Sequence, residues 1–329
     1  MKLDVLKLLE DQGDRFLSGQ DMADALGITR AAVWKQVKSL RDAGYEIQAV
    51  TNLGYRLLRQ PETLALEKIR DYLGEHPWRD RITLLDSVDS TNSMAKREAL
   101  LGAPHGSVYL SDEQTGGRGR QGRSFSSPKG RGIYLSVLLR PACAPADVPH
   151  ATAMAAVAAC DAVESACGVR PRIKWTNDLL LGEKKLVGIL SEMSAEWESG
   201  TLESLVIGIG INCCQTREDF PEELRDKATS LLLETGEKPD RNRLAAALID
   251  SLSRLSRDLL TEKASWLARY AEDCVTLGRP IRILRRDSQR HGIATGIDKN
   301  GALLVRYDNG ETGLVFSGEV SIRGENGYI

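Results

Sequence analysis

The sequence predicts an α+β protein of several domains: an N-terminal winged helix-turn-helix, a central mixed α/β domain, and a small C-terminal β-barrel, SH3-like in size. Three observations predict it. Residues 3 to 41 hold three apolar-periodic stretches broken at Gly13 and Gly27, followed by two short β-type runs around Thr51-Asn52-Leu53-Gly54. From about Arg81, strand and helix patterns mix. From Gly278 the chain is a series of short strands joined by tight turns. The expected domains are residues 1–62, 63–276 and 277–329. A chain of 329 residues exceeds what one core usually serves.

Composition excludes several classes. Net charge is −2, so no whole-chain basic field draws the protein to nucleic acid or membranes, and any DNA contact must be a local patch. The opening MKLDVLKLLEDQ is amphipathic but charged throughout, unlike a signal peptide. No stretch approaches 18 apolar residues, so no membrane span is expected. The six cysteines lack CxxC pairs and metal-ligand spacing, and read as reduced thiols of a cytoplasmic protein. With four histidines and no His/Cys cluster, no protein ligands for a metal are identified.

In the first sixty residues, Leu3, Val5, Leu6 and Leu9 have helical spacing. Ser18 is placed to cap a second helix, with Asp21 as a partial capping box and Gly27 as its stop. Thr29 is placed to cap a third, RAAVWKQVKSLRDAG, ending at Gly44. Its inner stripe is Val33, Val37 and Leu40, which leaves Arg30, Trp34, Lys35, Lys38 and Arg41 elsewhere. YEIQAV and YRLL are strands of a hairpin, and Pro61 closes the unit. A helical interaction domain with solvated charges has a similar pattern. The Gly-ended turn before a basic helix favours DNA: Gly19 to Lys38 form the helix-turn-helix, and Arg30, Lys35 and Lys38 meet phosphates or base edges.

In the central region, RITLLDSV is a strand and Ser90 caps the helix that follows. The Ser90-Thr91-Asn92 cluster at that junction serves either as a cap or as a polar ligand site. SVYLSDEQ and GIYLSVLLR are strands flanking TGGRGRQGR, which carries four glycines and three arginines. Such a run is either a flexible linker, a single-strand nucleic-acid segment, or an anion clamp. Apolar strands on both sides favour the clamp, in which arginine bonds to an anion contribute about 1.5–3 kcal/mol each. It is no Walker A loop, because GxxxxGK[ST] is absent. HATAMAAVAACDAVESACG is a long helix; RPRIKWTNDLLL carries Lys174, Asn177 and Asp178 at a strand end; GEKKLVGILSEM brings Lys185 to the mouth of a buried strand. LESLVIGIGINC is a strand whose Gly208 and Gly210 permit close approach. Residues 240 to 271 read as helix, with a leucine stripe. In the tail, IRILRR, GIATGID, ALLVRYD, GLVFSG and EVSIR are strands, and Arg323 stands in the last.

Taken in order, TRAAVWKQVKSL, NLGYRL, DSTN at 89–92, GRGRQGR at 117–123, KWTND at 174–178, KLVGIL at 185–190, GIGIN at 208–212 and GIDKNGALLV at 296–305 resemble a known family. It is the family of bifunctional biotin–protein ligases that also repress the biotin operon, and the resemblance spans essentially the whole chain. It implies a ligase-type central domain that joins biotin to ATP, with Mg²⁺ present, giving biotinyl-5′-AMP. The biotinyl group then passes to a lysine of the biotin carboxyl carrier protein. It also implies a homodimer, formed with biotinyl-AMP bound, that binds operator DNA. By the same resemblance Lys185 is the essential lysine, on the biotin carboxylate and the developing phosphate charge. Arg118 and Arg120, with Gly119, are adenylate-loop residues that also reach biotin, and Arg123, Asn212 and Arg323 add adenylate contacts. Ser90, Thr91, Asn92 and Gln114 hold the ureido ring. Phe125 packs on adenine where the family often has Trp, and Asp178 orders Lys185 or the incoming lysine. Two departures stand out: Thr176 replaces the Pro of KWPND, and Gln121 replaces an Arg, removing one positive charge from the loop. A lipoate–protein ligase, and a ligand-sensing regulator without catalysis, are the competing readings. The helix-turn-helix argues against the first, Lys185 and Arg118 against the second.

Overall fold

The structure is a computed structural model that describes residues 2–42, 45–59, 63–195, 200–284, 288–316 and 321–324. The chain divides into two compact units, Met1–Glu62 and Thr63–Ile329.

In the first unit, α1 (Lys2–Gln12), α2 (Gly19–Leu26) and α3 (Arg30–Asp42) precede a hairpin of β1 (Glu46–Val50) and β2 (Gly54–Arg59). The capping signals act as expected. Ser18 Oγ accepts from Asp21 N–H at 3.0 Å, Thr29 Oγ1 accepts from Ala32 N–H at 3.2 Å, and Gly27 closes α2 with φ 63°. Val5, Leu9, Met22, Val33, Val37 and Leu40 pack into one small core. Leu17 and Tyr55 exchange backbone bonds of 2.9 Å, tying the hairpin to the turn before α2. Gly54 makes that possible: a Cβ there would lie 2.1 Å from Leu17 O. Gly44 and Pro61, expected as the end of α3 and of the unit, lie outside the described residues.

The second unit opens with α4 (Leu66–Leu73), then β3 (Ile82–Leu85), α5 (Thr91–Leu100), β4 (Ser107–Ser111), β5 (Gly132–Leu139) and α6 (Ala151–Cys167). β6 (Arg172–Lys174), β7 (Asp178–Leu181), β8 (Lys184–Ala195) and β9 (Leu202–Asn212) follow. Then come α7 (Leu231–Thr235), α8 (Arg241–Asp258) and α9 (Lys263–Asp273). β3 to β9 form one sheet in the order β3-β4-β5-β9-β8-β7-β6, parallel at β3–β4 and antiparallel elsewhere. Strand alternation assigns its two faces. Val108, Leu110, Val137, Leu139 and Ile207 join the core built with α6 and α8, whereas Tyr109, Leu138 and Val206 meet Ala95 and Ala99 of α5. Ser136, Gly208 and Gly210 share the parity of Leu138 and Val206 and therefore lie on the α5 face.

Two expected elements are divided. RPRIKWTNDLLL is a hairpin of β6 and β7 rather than one strand, with Lys174 opposite Asp178. Its turn is held from outside, by Trp175 N–H to Thr276 Oγ1 and Trp175 Nε1–H to Gly301 O. Residues 240 to 271 split into α8 and α9. The His150 ring bonds Leu259 O at 2.8 Å, and Trp266 Nε1–H donates to Asp258 at 3.0 Å. The first contact satisfies a carbonyl left open at the end of α8, and the second ties the start of α9 back to that end.

The tail contains β10 (Pro280–Leu284), β11 (Gln289–Ile297), β12 (Leu303–Tyr307), β13 (Thr312–Val315) and β14 (Ser321–Gly324). They form an antiparallel sheet in the order β13-β12-β11-β10-β14. The expected closed, SH3-like barrel is absent among the described residues, where β13 and β14 remain sheet edges. The turn signals that identify neighbouring hairpins carry no information about that distant closing pair.

Candidate active site

Every central-domain residue connected above with biotin or adenylate lines one cavity of about 810 Å³. That is room for a ligand of nucleotide size. Its floor is the α5 face of the sheet, where three glycines remove side chains from the middle. A Cβ on Gly208 would stand 1.9 Å from Asn92 Oδ1, one on Gly210 2.4 Å from the Phe125 ring, and one on Gly188 3.0 Å from that same ring. These glycines are there for close approach, by Asn92 and by Phe125.

One end of the cavity is lined by uncharged hydroxyl and amide groups that bond one another. Ser90 caps α5, its Oγ accepting from Ser93 N–H at 3.5 Å, and this fixes Thr91 and Asn92 in the first turn. Gln114 Oε1 accepts from Thr91 N–H at 2.9 Å and from Thr91 Oγ1–H at 3.1 Å. Gln114 Nε2–H donates to Ser127 Oγ at 2.9 Å. Ser136 Oγ lies 2.7 Å from Thr91 Oγ1 and 2.6 Å from Asn92 Oδ1. Asn92 Nδ2–H donates to Leu190 O and to Glu192. Burial pushes the Glu192 carboxyl up, but hydrogen bonds from Lys96 and Asn92 outweigh it and hold it below the usual range. At the same helix start, the Arg97 guanidinium beside Asp89 draws its carboxyl down to about 2.

The other end is cationic. Lys185 Nζ stands 2.6 Å from Asp178 Oδ1 and 6.0 Å from the centroid of the Phe125 ring. The Lys185 backbone is gripped by the chain after β9: its N–H donates to Lys227 O at 2.8 Å and its carbonyl accepts from Thr229 N–H at 2.9 Å. Arg120 Nη1–H donates to Asn177 Oδ1 at 3.0 Å, while its Nη2 is buried without an acceptor among the described residues. Burial lowers the Arg120 pKa, with Asp178 opposing it. The loop closes on itself, with Gly119 N–H bonded to Arg123 O at 2.7 Å and Phe125 N–H to Gly117 O at 2.9 Å. Arg118 and Arg123 are exposed at its rim. Seven Lys and Arg side chains line the cavity against two Asp. That excess suits a polyanion.

Asn212 lines the cavity, but its amide is committed within the protein, to Thr229 O at 2.9 Å and from Gln215 Nε2–H at 3.0 Å. Arg323 stands opposite Arg282 in the β14–β10 pairing, and its side chain lies outside the described residues. Sequence reasoning missed Ser136, Ser127, Glu192, Lys227 and Arg282. A lone serine inside the apolar run GIYLSVLL was a readable signal for Ser136. Ser127 continues the arginine loop and Glu192 lies on the strand of Lys185, whereas Lys227 and Arg282 come from segments distant in the chain.

In the first unit, Arg30, Lys35 and Lys38 are all exposed on α3. Trp34 is 57% exposed beside them, with Lys38 Nζ 5.7 Å from its ring centroid. No helix among the described residues is long and apolar enough to cross a membrane.

Residues 84–212 match the model of the Biotin/lipoate A/B protein ligase family, residues 2–56 that of an HTH domain, and residues 276–323 that of the Biotin protein ligase C terminal domain. The bifunctional ligase/repressor BirA of Bacillus spizizenii is 38% identical over 311 residues, 94% of this chain and 95% of that protein. BirA of Escherichia coli is 33% identical over 313 residues, 94% of this chain and 93% of that protein. Among solved structures, the biotin protein ligase from Aquifex aeolicus in complex with biotin and ATP has a TM-score of 0.63 at 28% identity, covering 74% of this chain and 99% of that one. An identity above 30% that runs through the helix-turn-helix, the site-bearing sheet and the C-terminal strands alike places this chain in the BirA family of bifunctional ligase/repressors.

Proposed function

We propose that the protein activates biotin with ATP to biotinyl-5′-AMP and passes the biotinyl group to a lysine of a biotin carboxyl carrier protein. The observation that carries this reading is the union, in one cavity, of a closed hydroxyl–amide network and a strong cationic excess. The neutral end suits a ureido ring, with two N–H donors and one carbonyl acceptor, on Ser90, Thr91, Asn92 and Gln114. The cationic end suits the reacting groups. A biotin carboxylate oxygen attacks the α-phosphorus of ATP and pyrophosphate leaves. Lys185 meets the carboxylate and the charge that develops, while Arg118, Arg120 and Arg123 hold the phosphates, with Gly119 permitting close approach and Arg323 adding charge. Phe125 packs on adenine, and Asn212 shapes that end of the cavity. The carrier lysine then attacks the acyl carbonyl and AMP leaves, with Asp178 ordering Lys185 or the incoming amine.

Mg²⁺ enters this reading bound to the ATP phosphates. Among the described residues no cluster of three or more His, Cys, Asp or Glu is placed to hold a metal, and no side chain is assigned to it. Incubation with biotin, ATP, Mg²⁺ and a carrier domain should add the mass of one biotinyl group to the carrier. An unmodified carrier with biotin still bound defeats the enzyme reading. Lipoate in place of biotin should give no ATP–pyrophosphate exchange.

Gly208→Ala should weaken biotin binding by about tenfold, the scale of one disrupted buried hydrogen-bond network. The added methyl displaces Asn92, and with it the contacts to Ser136 and Glu192. Calorimetric titration with biotin measures this, and an unchanged affinity removes Asn92 from the ureido site.

The same reading makes the protein a biotinyl-AMP-dependent repressor in the cytoplasm, its helix-turn-helix placed on operator DNA by a homodimer. Adenylate tightens the arginine loop, and the ordered surface favours dimerisation, or instead receives the carrier protein. Sedimentation should show association only with adenylate; unchanged association refutes it. Replacing Arg30, Lys35 and Lys38 together with Ala should lower operator affinity and flatten its log–log salt dependence by about one unit per lost phosphate contact. An unaltered slope would move the DNA contact elsewhere.

A further inference from the structure

We infer that Arg241, far from any of the sequence motifs, is a positioning residue that clamps both feet of the glycine–arginine loop. Arg241 is only 1% exposed and opens α8. Its Nη1–H donates to Asp112 Oδ1 at 2.7 Å and to Gly132 O at 3.1 Å. Asp112 is the first residue after β4 and Gly132 the first residue of β5. The nineteen residues between them include Gln114 and the whole run from Thr115 to Arg123. One guanidinium nitrogen therefore joins the points where the chain leaves the sheet and where it returns.

The feet also touch each other, through Gly130 N–H to Asp112 O at 3.2 Å, and each is held to the sheet. Asp112 N–H donates to Leu85 O at 3.0 Å; Arg131 O accepts from Cys213 and Cys214 N–H at 3.1 and 2.7 Å. Arg241 itself is fixed from behind. Asp240 caps α8 by accepting from Asn242 and Arg243 N–H, and buried Asn242 bonds Ala65 N–H and Thr63 O. Burying a charged pair is a poor way to gain stability, because an apolar pair of the same volume generally does as well. A charged group that bonds both feet does what an apolar pair cannot: it sets the spacing of the loop base. That spacing aims Gln114, two residues past Asp112, at Thr91, and Arg120 at Asn177.

The inference rests on the reading of the cavity as an adenylate site, and the test separates the two. The double variant Arg241→Met with Asp112→Leu removes both charges at similar volume. We expect it to unfold within a few degrees of the wild type, yet to release preformed adenylate about tenfold faster without acceptor, with KM for biotin raised about fivefold. Without any ligand, amide hydrogen exchange should rise within residues 113–131 and not in β4 or β5. Asp112→Asn, which keeps an acceptor for Arg241, should release adenylate about threefold faster and carries the test alone if the double variant does not fold. Folded variants with wild-type release, KM and loop exchange overturn the clamp. A wild type that makes no adenylate overturns the reading of the cavity instead, and the ligand-free exchange still decides the clamp.

Discussion

Replacing Lys185 with Gln is expected to slow adenylate formation by about 10²–10³-fold, the range seen when one preorganised transition-state contact is removed. The geometry explains why the loss is so large. Backbone bonds through its N–H and its carbonyl fix the point from which Lys185 reaches into the cavity, and its ion pair with Asp178 holds the amine there. Its amine also balances Asp178 at 2.6 Å. Without that amine, a partly buried carboxylate faces an incoming carboxylate and a polyphosphate. Lys185→Gln with Asp178→Asn should therefore recover part of the loss, a coupling that a double-mutant cycle measures. Pyrophosphate exchange at saturating biotin and ATP is the readout. A change of less than threefold would remove Lys185 from the chemical step.

Arg120→Gly is expected to speed the escape of adenylate by about 10–100-fold, the equivalent of one charge-assisted hydrogen bond of roughly 1.5–3 kcal/mol. Arg120 connects the loop to the β6–β7 turn through Asn177, and its second terminal nitrogen is buried with no acceptor among the described residues. An adenylate phosphate would supply that acceptor. Glycine removes the contact and adds backbone freedom to a loop already rich in it. The variant should biotinylate bystander lysines when incubated without carrier, because a free mixed anhydride acylates any exposed amine. Retention equal to wild type would place the lid function elsewhere in the loop.

Much of this site was readable before any coordinates. Ser90 as a cap is legible because the signal is local: a hydroxyl followed by an apolar-periodic run. Gly208 and Gly210 are legible because glycine in a buried strand weakens it unless something must come close. Their partners were not. That Asn92 needs Gly208, or that Phe125 lies on Gly210, depends on which strands become neighbours. Nothing local in GEKKLVGILSEM marks Glu192. It proved to hold Asn92 because β8 pairs with β9 in a register that sets Leu190 opposite Gly208.

The sequence by itself determined the helix-turn-helix, the strand that carries Lys185, the arginine loop and the membership of the family. Each of these rests on short-range chemistry: caps, turns, periodicity and ordered motifs. The tertiary structure decided the break between α8 and α9, the order of the described C-terminal strands and the hairpin inside RPRIKWTNDLLL. It also decided that Arg241, 129 residues from Asp112 along the chain, closes the base of the loop. The physical reason is that contacts from outside each segment settle it: His150 at Leu259, Thr276 and Gly301 at the β6–β7 turn, Arg241 at Asp112. The free energy of such contacts resides in the packed structure rather than in any window of residues.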